Sequence, residues 1–151
     1  MAELKERLRA DLNAAMRARD QVRMRTLRMA LTSITNEEVA GTSARDLTDD
    51  EVVRVLTREA RKRREAAEAF SAAGRSDQAA AERAEGDVLA GYLPAQLSDD
   101  ELAALVDAAI AETGASGPSS LGQVMKAVTP RIAGRADGAR VAAEVRRRLS
   151  S

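Results

Sequence analysis

One five-residue signal occurs twice in this chain, as Leu47-Thr-Asp-Asp-Glu51 and as Leu97-Ser-Asp-Asp-Glu101. Each is a capping box. The hydroxyl accepts from the first helical turn while the glutamate three residues on reaches back. The two aspartates between them suit the positive end of a helix dipole. Helices must therefore start near residues 49 and 99.

The remaining apolar residues fall at helical spacing. Leu4, Leu8, Leu12 and Met16 predict a helix over about residues 3–18. Asp20 caps a second, with Val22, Leu27, Ala30, Leu31 and Ile34 on its apolar face. Arg17, Arg19, Arg23, Arg25 and Arg28 cluster at that junction and read as a solvated face. The third helix runs over about 49–73 and the fourth over about 77–91. Together they predict a long antiparallel αα-hairpin, 49–91, projecting from the body as an arm and turning at Gly74. Its apolar face thins after Ala60. The pairs Glu59–Arg63 and Arg64–Glu68 then read as i,i+4 partners on an exposed helix.

Tyr92-Leu-Pro94 ends the hairpin, because the residue before proline is pushed out of helical geometry. After Ser98 comes a fifth helix with Leu102, Leu105, Val106, Ala109 and Ile110 inward, closed by Gly114. Ser120 and Gln123 make a third capping box, opening a helix with Leu121, Val124, Met125 and Val128. Pro130 kinks or restarts it, and Gly134 ends it. Asp137 caps a last helix with Val141, Ala142, Val145 and Leu149. The expected fold is all-α in two helical lobes. An N-terminal domain, 1–93, carries the hairpin, 94–97 connect, and 98–151 form a small C-terminal domain.

Composition narrows the chemistry. The 151 residues hold 24 basic and 24 acidic side chains, so any nucleic-acid contact needs a local patch. There is no cysteine and no histidine, which removes thiolate chemistry and the commonest general base. Only Phe70 and Tyr92 are aromatic. No Gly-rich phosphate loop appears. Ser98 and Ser120 serve better as caps than as nucleophiles, even with Lys126 in the chain. Asp49/Asp50 and Asp99/Asp100 serve better at helix starts than as Mg²⁺ ligands. No catalytic residue, metal or cofactor is assigned. Met1-Ala-Glu-Leu-Lys-Glu6 lacks the apolar core of a signal peptide, and no apolar run approaches the ~20 residues of a membrane span. A cytoplasmic protein without a membrane partner is expected.

What remains is Gly122-Gln-Val-Met-Lys126 and Gly134-Arg-Ala-Asp-Gly138. One reading is structural: Gly122 lets helices approach, Gly134 and Gly138 serve turns, and Asp137 caps. The other is a recognition surface. Gln123, Lys126, Arg131, Arg135 and Arg140 lie close in sequence, near a helix start, as a phosphate site would need.

These motifs, with Arg25-Thr-Leu-Arg28, Leu47-Thr-Asp-Asp-Glu51, Tyr92-Leu-Pro94 and Glu112-Thr-Gly-Ala115, occur in an order that resembles the YqeY family of the GatB/YqeY group. The C-terminal half is similar to the tail domain of the B subunit of tRNA-dependent amidotransferases. Asp137-Gly138 stands where that subunit usually has Asn-Pro. The resemblance implies a helical N-terminal domain joined to a GatB-tail-like domain. It also implies a non-catalytic tRNA-binding or accessory module, with tRNA or an amidotransferase-like assembly as partner. Two alternatives stand beside it. One is a protein-interaction adaptor using the 49–91 hairpin. The other is a carbon–nitrogen ligase with glutamine as amido-N-donor.

Overall fold

A computed structural model describes residues 2–150. The described residues contain seven α-helices, one 3-10 turn and no strand, so the protein is all-α. The chain divides into two compact units, Met1–Leu93 and Pro94–Ser151.

The first unit holds α1 (Glu3–Ala18), α2 (Gln21–Glu38), α3 (Asp49–Ala72) and α4 (Ser76–Ala90). Arg19, left-handed at φ 57°, and Asp20, which accepts from the Arg23 N–H, turn α1 into α2. The Thr48 box is complete: Thr48 Oγ1 accepts from the Glu51 N–H, and Glu51 accepts from the Thr48 N–H. Arg45 grips the same carboxylate at 2.6 Å and holds its pKa down at about 2. Leu47 before this cap and Val52 after it are both buried in one cluster, a hydrophobic staple that fixes the chain's entry. Leu8, Leu27, Ile34 and Leu56 complete that core.

Two sequence expectations need correction here. The hairpin is not a separate arm, because α3 packs on α1 and α2 and α4 packs on α2. Only its tip, residues 71–78, is wholly exposed. Glu59 and Arg63 are buried rather than solvated. Small residues, Ala67 and Ala79, bring α3 and α4 close, and Arg63 then meets Glu85 at 3.1 Å, Glu59 at 3.6 Å and Glu82 at 3.8 Å. Its Nε lies near the Glu85 carboxylate without hydrogen-bond alignment, so this contact is an ion pair only. Lys5 is buried too, with its Nζ 2.7 Å from Glu38.

Tyr92 ties the unit's elements together after α4 ends. Its hydroxyl donates to Asp11 at 2.6 Å and accepts from Arg23 at 3.1 Å, and the Arg7 guanidinium stacks 4.7 Å over the ring. The break around Pro94 lies where the sequence places it.

The second unit holds α5 (Asp99–Thr113), a 3-10 turn (Pro118–Ser120), α6 (Leu121–Ile132) and α7 (Gly138–Leu149). Residues 94–97, expected as a connector, fall within it. Leu97 is buried and its N–H donates to the Arg135 carbonyl at 2.8 Å. The Ser98–Glu101 box is complete, with Leu97 and Leu102 buried on either side. Asp137 caps α7 by accepting from the Ala139 N–H. Gly114 ends α5 at φ 64°, a conformation without a Cβ penalty only for glycine.

Four details differ from expectation. Ser120 does not cap α6; its hydroxyl donates to the Ser116 carbonyl, because the 3-10 turn runs straight into the helix. Pro130 does not interrupt α6. It sits on the exposed face of the last turn, where the Lys126 carbonyl it leaves unbonded can be hydrated. The helix stop is Ala133, left-handed at φ 50°, followed by Gly134 at φ 78°. Leu105 is half-buried, while Leu102 and Val106 form the core proper.

Candidate functional site

The outward face of α6 follows from its inward one. Val124, Val128 and Ile132 are buried, so Gly122, Gln123, Lys126 and Pro130 stand on the opposite side and are exposed or half-exposed. Lys126 has no acidic partner among the described residues. Gln123 reaches the Thr113 carbonyl at the C-terminal end of α5, at 3.5 Å. Arg131 pairs with Glu112 near the same end.

Arg135 and Arg140 sit at the other end of α5. Arg140 meets Asp99 at 2.8 Å. Arg135 lies close enough to Glu101 to add to the lowering of its pKa, which comes first from the Ser98 N–H and hydroxyl. The five recognition candidates therefore form two groups and not one cradle. Asp99 and Glu112 are thirteen residue steps apart on α5, about 20 Å at the helical rise. The carboxylates facing the arginines are open to water: Asp99 is 98% exposed and Glu112 62%. Such pairs contribute about 0–1 kcal/mol and exchange readily.

The N–H groups at the start of α6 are partly used. Ser120 and Leu121 donate to the Gly117 and Pro118 carbonyls. The expected anion site at a free helix start is therefore reduced by the 3-10 turn. Gly122 also departs from its expected role: a Cβ there would meet nothing within 4 Å, so it serves no close helix contact. Gly138 has equally open surroundings and no positive φ, so no turn requires it.

Sequence reasoning missed the polar groups of the first unit: Lys5–Glu38, the Arg63 cluster and the Tyr92–Asp11–Arg23 contact. One signal was available in Tyr92, since a lone tyrosine buried at a helix end needs a partner for its hydroxyl. Among the described residues no group of three or more His, Cys, Asp or Glu side chains is arranged to hold a metal ion. No helix among them is long and apolar enough to cross a membrane.

The family model described as Yqey-like protein matches residues 5–149. No curated protein matches the chain.

Proposed function

The chain belongs to the Yqey-like family, and for this member we propose a non-catalytic accessory role in which the C-terminal unit contacts folded RNA such as tRNA, alone or within an amidotransferase-like assembly. Gly122 carries the reading. A glycine inside a helix costs about 0.5–1 kcal/mol relative to alanine. No steric contact requires this one, because a Cβ would stand in open space. It lies one turn before Lys126 on the same outward face, next to Gln123. Bare backbone beside an unpaired ammonium and an amide lets a bulky polyanion come close.

The arginines extend this face. Arg131 and Arg140 give up weak, solvated pairs when phosphate replaces carboxylate, Arg135 stands near Glu101, and their planar forks suit phosphate. A spread of about 20 Å along α5 fits the backbone of a structured RNA better than a single phosphate. Tyr92 is buried in the other unit, so base stacking has no platform here and shape recognition follows. The absence of histidine and cysteine from the chain supports a role without chemistry of its own.

The test is a fluorescence titration of tRNA across a salt series with wild type, Lys126→Ala, Arg135→Ala and Arg83→Ala, an arginine of the first unit. The first two variants should weaken binding and flatten the log K against log salt slope by roughly 0.9 each. Arg83→Ala should behave as wild type. Equal losses in all three, or no wild-type binding at low salt, would defeat the proposal.

A further inference from the structure

Within Arg25-Thr-Leu-Arg28 the middle two side chains are fully buried and the outer two face solvent. The outer pair belongs to a stripe along α2. Gln21, Met24, Arg25, Arg28, Met29 and Thr32 line an open groove of about 540 Å³. Met16 on α1 joins it, 39% exposed, with its sulfur 3.4 Å from Arg28 Nη2. Three of the chain's five methionines thus gather on one surface.

The rim is cationic through Arg25 and Arg28. Both are exposed, as are Arg17 and Arg19 at the nearby α1–α2 junction. Arg25 pairs with Glu85 at 2.7 Å, whereas Arg17, Arg19 and Arg28 meet no carboxylate among the described residues. Asp20, the one acidic residue between 17 and 28, is engaged as the cap of α2. The charges on α2 also oppose its dipole. No acid stands in its first turn and no base in its last, while Arg23 lies near its start and Glu37 and Glu38 at its end. Tertiary contacts account for those three: Arg23 donates to Tyr92, Glu37 meets Arg58 and Glu38 meets Lys5, which leaves Arg28 as the α2 charge with no carboxylate.

We infer that the Met16–Met24–Met29 groove of α2, rimmed by Arg25 and Arg28, docks an acidic amphipathic helix of another protein. The stripe from Gln21 to Thr32 is about 16 Å long, three turns of helix. A methionine floor adapts to apolar side chains of varied shape. Arginine forks on its rim take carboxylates from the flanks of the incoming helix. A nucleic acid would use the arginines but not the thioethers, and no aromatic ring lines the groove for base stacking. This site lies in the first unit and is independent of the RNA reading.

The experiment titrates the full chain with a fluorescein-labelled synthetic helix carrying leucines on one face and glutamates on both flanks. A second helix carries lysine for glutamate, and an RNA hairpin is the third probe. The acidic helix should saturate and shift α2 amide resonances. Arg28→Glu should weaken it roughly tenfold or more. Met24→Ser should weaken it measurably, and Arg83→Glu should not. Melting by circular dichroism establishes that each variant is folded. Absence of saturation, or equal affinity for the lysine helix, overturns the inference. RNA binding that needs Arg28 but ignores Met24 would overturn it too, making the groove a phosphate surface. Self-association of the chain that Met24→Ser abolishes would replace the foreign helix with a second copy.

Discussion

Among the described residues every buried charged side chain lies in the N-terminal unit: Lys5, Glu38, Glu59 and Arg63. The C-terminal unit closes its core with Leu97, Leu102, Val106, Val124, Val128, Val145 and their apolar neighbours. Arg131, Arg140, Arg147 and Arg148 stay near its surface in ion pairs. The difference shows two ways of fixing helix partners. In the first unit a buried charge is answered by particular neighbours on another helix: Lys5 joins the start of α1 to the end of α2, and Arg63 joins α3 to α4. In the second, caps set where helices start and apolar stripes set which way they face.

Removing one partner of a buried pair exposes this contrast most strongly. Arg63→Ala leaves Glu59 and Glu85 only their exposed cations, Lys62 and Arg25, and should destabilise the first unit by about 3 kcal/mol, the low end for cutting a buried pair. Denaturant unfolding followed by amide resonances from each unit should show the loss in α1–α4 only. Loss below about 1 kcal/mol would mean the cluster is effectively solvated.

The corresponding cut in the second unit is apolar. Leu102→Ala should cost about 2–5 kcal/mol in α5–α7. Leu105→Ala should cost clearly less, since Leu105 is half-buried. Equal losses in the same denaturation assay would erase the distinction between core and flank.

The sequence carried the helix starts well, because a capping box is local. Thr48 with Glu51, Ser98 with Glu101, and the caps at Asp20 and Asp137 stand where their spacing puts them. What it concealed depends on partners distant in the chain. Glu59 and Arg63 have the same i,i+4 spacing whether solvated or buried; their partners are Ser33 and Met29 on α2 and Glu82 and Glu85 on α4. Gly122 is equally ambiguous, since glycine suits a tight helix crossing and an open surface alike. The Ser120–Gln123 pattern misled because Pro118 starts a 3-10 turn that runs into α6 and takes Ser120 out of the capping position.

Tyr92 sharpens the comparison through pH. Burial, then its bond to Asp11, raises the phenol from 10.0 to about 12. A raised folded pKa means this stability is complete below the ordinary value and is lost as pH rises toward 12. As the only tyrosine, it can be followed by phenolate absorbance. Ionisation should lag free tyrosine and coincide with loosening of the first unit. Titration at the ordinary value would place the ring in water.

The smallest change in stability falls on the proposed RNA-facing surface itself. Gly122→Gln adds a side chain to the outer face of α6 where nothing stands in its way. Thermal stability and tRNA affinity are measured on the same preparation. Stability should rise by about 0.5 kcal/mol while tRNA binding weakens, because the side chain blocks approach beside Lys126. Raised stability with unchanged affinity would make Gly122 an ordinary surface glycine and contradict the proposed RNA-facing surface.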